Sequence, residues 1–339
     1  VVWDLLNDAR VGRRTAESFP LQSVVKLGIA LAVYDAADRG VLELERPVAL
    51  EQRDLVFGAS RIADDWQRGA RGPYRAGALI DRMLIESDNT AADVLYRLVH
   101  GKATINAVLA RKGITGINVR TNEAGVRADG LAGRTFAKGG DNAGTPDAVA
   151  SLLAKLQIGT LVSNRSRTRF MNALSASRTG PGRLRAGLPP ATPLAHKTGT
   201  SGTRDGATDA TNDAGIVLIN GYGVVIVAFL NGARGSNRDR DAAIAGLARD
   251  VYAITRSALA LRENHVALGR VRHRNACSSC TARRAHRRPD VPSARVERIE
   301  WHLDGVDRLR NLAGHHTSRR YVSLPRLQSI EPGGLGWRN

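Results

Sequence analysis

The chain has 339 residues, enough for two domains or for one large domain with an appendage. Hydrophobic residues make up 42% and charged residues 24%, which excludes wholesale disorder, and no apolar run approaches the ~18 residues of a membrane span. Two cysteines exclude a disulfide framework, while a net charge of +18 raises acidic partners as a question.

In chain order, Val1–Leu6 reads as a strand and Asn7-Asp8 as a turn. No basic, apolar or cleavage region of a secretion leader is visible at this start. Ser23–Ala37 is apolar on nearly every side, which predicts a buried helix. Further helices are expected over Ala76–Glu86, Asn89–Val99, Ala103–Lys112 and Thr145–Leu156. The last has Thr145 as N-cap and Pro146 in the first helical position. Leu194–Thr200 is strand-like, and two apolar runs, Ala214–Ile219 and Val224–Leu230, flank an Asn220-Gly221 hairpin signal. Asp239–Ile254 reads as an amphipathic helix with Ala242, Leu247 and Val251 near one face. Strands at both ends and helices between them predict an α+β fold: an antiparallel sheet with flanking helices plus an inserted all-α domain.

Three short stretches carry the chemistry. Ser23 and Lys26, in FPLQSVVKLG, are three apart and therefore on one helix face. A serine hydroxyl needs a base, and a neutral lysine can be one. Taken alone, the pair reads as a cap serine and a snorkelling lysine. Ser87-Asp88-Asn89 lies between two helices and alone reads as an N-cap cluster. Lys197-Thr198-Gly199-Thr200 ends an apolar strand with a charge, hydroxyls and a glycine that admits close backbone approach. A lysine beside a threonine suits a substrate carboxylate.

Together, S-x-x-K, S-D-N and K-T-G in this order resemble the class A serine β-lactamases and the related penicillin-binding enzymes. The likeness covers about residues 1–256. The flanks IESDNTAADVL and ATNDAGIVLI, together with Gln22, Thr200-Ser201 and the long Thr203–Thr211 segment, resemble the extended-spectrum PER-, VEB- and CfxA-like branch. The resemblance implies a β-lactamase/transpeptidase-like fold. Residues 1–21 and 176–256 then form a discontinuous α/β domain, 22–175 the all-α domain, and 257–339 an Arg-rich, disordered extension. It also implies roles. Ser23 is the nucleophile, and Lys26 and Ser87 move protons. Asn89 orients the acylamide, Lys197, Thr198 and Thr200 bind the substrate carboxylate with Gly199 in the same substrate-binding stretch, and the backbone N–H groups of Ser23 and Thr200 form the oxyanion hole. Glu123, 34 residues after Asn89, stands where the family places the base that activates the deacylating water. A penicillin-binding D-alanyl-D-alanine carboxypeptidase shares the acylating set but not that base.

Three departures from the family pattern stand out. Arg127 occupies the position, four after the glutamate, where most relatives have asparagine, and is expected to weaken Glu123 as a base; Thr121 replaces an arginine that commonly pins the loop. The helix that usually precedes the first strand is missing, which leaves the Asp239–Ile254 helix with a partly uncovered face. Finally, residues 257–339 carry 16 Arg, no Lys and 7 acidic residues. Cys277 and Cys280 with His273 and His286 have zinc-type ligands but poor spacing, and the pairs Arg283-Arg284, Arg287-Arg288 and Arg319-Arg320 lack interleaved aromatics. Neither metal nor nucleic acid is therefore expected. The resemblance implies a cofactor-free monomer acting on small-molecule β-lactams, without a membrane, in the periplasm or outside the cell.

Overall fold

The computed structural model describes residues 1–132 and 141–275, with 263–275 described by backbone alone. The chain enters one sheet through β1 (Val2–Asp4) and β2 (Ala9–Val11) and returns to it with β3 (Leu194–Thr200), β4 (Thr211–Ile219) and β5 (Tyr222–Leu230). Every pairing is antiparallel, and the spatial order is β2-β1-β5-β4-β3. The Val1 amino group extends the β1–β5 pairing by donating to the Val227 carbonyl at 2.8 Å. Asn220 and Gly221 connect β4 to β5 with φ of 51° and 82°, the two positive values of a type I′ turn.

Between the two visits to the sheet run α1 (Lys26–Asp38), α2 (Arg61–Gln67), α3 (Ala76–Ile85), α4 (Asn89–Leu98), α5 (Lys102–Arg111), α6 (Glu123–Leu131), α7 (Pro146–Gln157) and α8 (Asn164–Ser175). Every residue of α1 from Lys26 to Ala36 is buried, as its all-round apolar sequence requires, and it packs among α3, α4, α5 and α8. The expected helix start at Ser23 is modified: Gln22–Val25 is a 3-10 turn that runs into α1 at Lys26.

The sheet's two faces follow the period-2 alternation of its strands. Ala214, Ile216, Val225 and Val227 join the large core shared with α1, α3, α4, α7 and α8. Val217, Ile219, Val224 and Ile226 join a second core under α9 (Asn237–Asn275). The α7 helix, which the sequence groups with the inserted helices, packs directly against β4 and β5.

The C-terminal helix corrects two expectations. Its core-facing residues are Ile244, Ala245, Ala248, Val251 and Leu259, so of the face read from sequence only Val251 is buried. Leu247, Ile254 and Leu261 instead form a second stripe, seven residues apart, that is 36%, 63% and 61% exposed. The helix also runs straight through the boundary read at residue 256. Leu259 is buried in the second core, against which Val2 and Leu6 also pack, and Arg262 hydrogen-bonds to Asn7. Cys277, Cys280, His286 and the three arginine pairs lie outside the described residues, as does the side chain of His273.

A small sheet holds the neck of the loop that carries Glu123. Phe19–Pro20 and Ile117–Asn118 both pair with Ala143–Gly144. Asn142 clasps the loop beside it: its Oδ1 accepts from the amides of Arg120 (2.7 Å) and Thr121 (3.0 Å), and its Nδ2 donates to the Thr121 carbonyl (3.1 Å). The Asn142 carbonyl accepts from the Leu21 amide at 2.9 Å, two residues before Ser23. A neutral side-chain-to-backbone clasp thus stands where Thr121 leaves no guanidinium, and Asp129 pairs with Arg120 nearby.

Candidate active site

Ser23 sits in the 3-10 turn, between Gln22, whose φ of 47° is left-handed, and the start of α1. One turn on, the Lys26 ammonium is fully buried and surrounded by acceptors. Its Nζ lies 3.1 Å from Ser23 Oγ, 2.7 Å from the Ser87 carbonyl, 3.3 Å from Ser87 Oγ and 2.6 Å from Asn89 Oδ1. Glu123 Oε1 is 3.2 Å away, as an ion pair without hydrogen-bond alignment. Three N–H groups facing five acceptors can exchange partners, which is what a proton relay requires.

The Ser-Asp-Asn stretch turns out to be both a cap and a site, with different residues serving each. Asp88 is the N-cap of α4: its Oδ1 accepts from the Ala91 amide and Ser60 Oγ, each at 2.9 Å, and its Oδ2 accepts from the Ile62 amide at 3.1 Å. That buried clasp leaves Ser87, at φ 61°, and Asn89 turned toward Lys26.

On β3, Lys197 is completely buried and donates to Ser87 Oγ at 2.9 Å and to the Thr198 carbonyl at 3.0 Å. Burial, then the charge of Lys26, push its pKa well below the ordinary lysine value. Ser87 Oγ therefore sits between two amines. Gly199 lies at the closest approach of strand and nucleophile. A Cβ there would come within 2.4 Å of the Leu21 carbonyl oxygen and 3.2 Å of the Ser23 amide nitrogen. Thr198 Oγ1 donates to Thr179 Oγ1 at 2.6 Å. Thr200 Oγ1 accepts from Arg183 Nη2 at 2.8 Å.

Glu123 opens α6 and is only 12% exposed at its side chain. Its backbone is held by Asp93 of α4. Asp93 Oδ1 accepts from the Glu123 amide at 2.7 Å, and Oδ2 accepts from the Ala124 amide at 2.9 Å and from Asn122 Nδ2 at 2.8 Å. Desolvation raises the Asp93 pKa to about 7, against the opposing pull of those amides. Arg127 does not turn toward Glu123. It is exposed, and its Nη1 donates to the Phe57 carbonyl at 2.8 Å. Among the described residues, no group of three or more His, Cys, Asp or Glu side chains is placed to hold a metal.

All nine side chains or backbone positions singled out in the sequence therefore gather around Ser23, on the turn before α1, the ends of α3, α4 and α6, and the end of β3. A profile of the Beta-lactamase enzyme family matches residues 1–255. The chain belongs to that family. The β-lactamase is 32% identical over 240 residues to the extended-spectrum β-lactamase PER-1 of Pseudomonas aeruginosa, covering 70% of this chain and 75% of the relative. It is 30% identical over 235 residues to the β-lactamase VEB-1 of the same organism, covering 68% and 76%. Among solved structures, the TLA-3 extended-spectrum β-lactamase superposes with a TM-score of 0.70 at 26% identity, covering 75% of this chain and 91% of that one. A β-lactamase from Chitinophaga pinensis DSM 2588 superposes with a TM-score of 0.69 at 29% identity, covering 75% and 92%. The enzyme is a class A serine β-lactamase of the PER/VEB branch, and its reaction is hydrolysis of β-lactams.

Two residues of the β-lactamase's site are not visible in the motifs. Asp93 is four residues after Asn89, so its place on the inward face of α4 is readable from helical spacing. Arg183 has no such signal, because it comes from an irregular segment. It is buried under the end of β3, where Nη1 donates to the carbonyls of Asn212 (2.8 Å) and Gly199 (3.3 Å) and Nε pairs with Asp241 at 2.7 Å.

Proposed function

We propose that hydrolysis runs through an acyl-enzyme on Ser23 that Glu123 and water release. The observation that carries this reading is the position of the Lys26 ammonium, 3.1 Å from Ser23 Oγ and 3.2 Å from Glu123 Oε1. Lys26 first passes a proton to Glu123 and, now neutral, takes the proton of Ser23 as Oγ attacks the lactam carbonyl. Ser87 gives its hydroxyl proton to the departing ring nitrogen as the C–N bond breaks. Lys26 restores that proton over 3.3 Å, and Lys197, 2.9 Å from the same oxygen, stabilises it electrostatically. Glu123 returns its proton to Lys26 and is again a carboxylate when the ester is complete. It then takes a proton from water as the hydroxide attacks the ester carbonyl, and that proton passes through Lys26 to Ser23 Oγ as the C–O bond breaks, which returns Glu123 to a carboxylate.

Thr198, Thr200 and the Lys197 charge, with Arg183 behind them, suit the substrate carboxylate. The amides of Ser23 and Thr200 suit the carbonyl oxygen, a contribution of roughly 3–4 kcal/mol in comparable sites. Asn89 suits the acylamide. The enzyme acts as a monomer and outside the cytoplasm, in the periplasm or secreted; cell fractionation and sedimentation test these two points.

Nitrocefin turnover tests the reaction. Steady hydrolysis well beyond one equivalent is expected. A single burst of one equivalent would instead identify an enzyme that acylates but does not release, as a D-alanyl-D-alanine carboxypeptidase trapped by the drug does.

A further inference from the structure

We infer that Arg127 is a specificity-determining residue, favouring β-lactams whose acyl side chain carries a carboxylate; this rests on the site reading above. Helix α6 puts Glu123 and Arg127 one turn apart on the same face. Glu123 turns in to Lys26, while Arg127 reaches across the mouth of the cleft to the Phe57 carbonyl. The opposite rim is tied to the site floor, since Asn89 donates to the Gly58 carbonyl at 3.4 Å and accepts from Lys26 at 2.6 Å. Lys26, Asn89, the Phe57-Gly58 rim, Arg127 and Glu123 thus close a ring of contacts. A lactam joined to Ser23 with its acylamide on Asn89 would have its side chain beside the Phe57-Gly58 rim, to which both Asn89 and Arg127 are hydrogen-bonded.

The guanidinium there is suited to an anion. It is exposed, and it makes one hydrogen bond among the described residues although it has five N–H donors. The nearby carboxylates are committed elsewhere: Glu123 to Lys26, Asp93 to the Glu123 and Ala124 amides, and Asp129 to Arg120. A second guanidinium, Arg204, caps the far end of α6 at the Gly130 carbonyl, 3.3 Å away, and adds charge of the same sign. A side-chain carboxylate meeting Arg127 gains a fork-shaped partner whose remaining N–H groups take no hydrogen bond among the described residues.

Benzylpenicillin and carbenicillin, which differ by one carboxylate on the acyl side chain, are the probes. The quantity read is the carbenicillin-to-benzylpenicillin ratio of kcat/KM in the full chain. Arg127→Gln is expected to lower this ratio about fivefold, the scale of a solvent-exposed ion pair, and Arg127→Glu to lower it further. Arg127→Lys is expected to keep most of it, and 0.5 M salt to shrink it in the unmodified enzyme. An unchanged ratio in active Arg127→Gln and Arg127→Glu enzymes, or equal loss on both penicillins, would overturn the inference alone. Failure of the unmodified enzyme to hydrolyse either penicillin would overturn the catalytic reading, and this inference with it.

Discussion

Asp93 accepts the backbone amide of Glu123 at 2.7 Å, so the residue assigned to deacylation is held in place by a buried carboxylate on a neighbouring helix. Both oxygens of Asp93 face N–H donors, an arrangement that requires the ionised form. Burial opposes ionisation and moves the Asp93 pKa up from 3.8 to about 7. Below that pH the carboxyl carries an O–H aimed at one of those N–H groups and stops accepting from it, so Glu123 is placed less well even though relief of the buried charge favours the folded chain. The deacylation rate is therefore expected to be full above neutrality and to fall as pH drops through about 7. Single-turnover deacylation followed from pH 8 to pH 5.5 checks this; a flat profile would remove Asp93 from the account.

Replacing Asp93 with alanine leaves the Glu123 and Ala124 amides without their acceptor in a partly buried place. A loss of about 1–3 kcal/mol of stability is expected, the usual penalty for unsatisfied buried donors. Deacylation is expected to slow more than acylation, because acylation only passes a proton between Lys26 and Glu123, 3.2 Å apart, whereas deacylation needs Glu123 poised on a water beside the ester. Separate burst and steady-state rates distinguish the two steps.

Gly199→Ala tests the strand-to-nucleophile approach. The added methyl would lie 2.4 Å from the Leu21 carbonyl, which is backbone and cannot rotate away. The end of β3 must shift, and misplacement of about 1 Å at such a site costs about a hundredfold in rate. A kcat/KM fall of that order, with thermal unfolding still cooperative, is the expected outcome.

How much of this was legible in the chain depended on locality. The Asn-Gly hairpin, the apolar strand runs and the three motifs each depend on residues close in sequence; the hairpin and strands form as read, while Ser23 lies in a 3-10 turn instead of the helix start. Arg183 depends on Asp241, Asn212 and Thr200, which are brought together only by the fold, so no pattern marks it. Arg127 was expected to act on Glu123 because it takes the place, four residues on, where most relatives have an asparagine. The Phe57 carbonyl, 70 residues earlier, takes its hydrogen bond instead. The C-terminal helix was misread by rotation: Leu247 and Val251 are four apart, but the core takes the stripe through Ile244, Ala248 and Val251.

That helix supplies a truncation test. Leu259 is 6% exposed in the second core, so a chain ending at Ile254 loses a buried leucine as well as the Arg262–Asn7 contact. Ending at Ile254 is expected to cost about 2–3 kcal/mol, the scale of burying one leucine side chain, and to lower Tm. Ending at Arg262 retains both contacts and is expected to leave Tm and lactam hydrolysis near those of the full chain. Paired melting curves decide this.

Arg183→Ala removes a buried guanidinium that contacts Thr200, Gly199, Asn212 and Asp241. Breaking one side of such a pair costs about 3–5 kcal/mol when the partner is left buried; Asp241 is partly exposed, so the lower end is expected. Because Thr200 loses its donor, KM for a penicillin is expected to rise more than kcat falls. Arg183→Lys, which keeps the charge but not the fork, is expected to recover part of the stability and little of KM.

The division of labour between Ser23 and Glu123 is tested most directly by the mass of the protein after mixing with a penicillin. Glu123→Gln, which acylates more slowly because Lys26 loses its proton acceptor, is still expected to accumulate one substrate mass on the peptide containing Ser23 because release slows further, while the unmodified enzyme shows no lasting adduct. An unmodified rate of turnover in Glu123→Gln, or an adduct located on any residue other than Ser23, would contradict the mechanism.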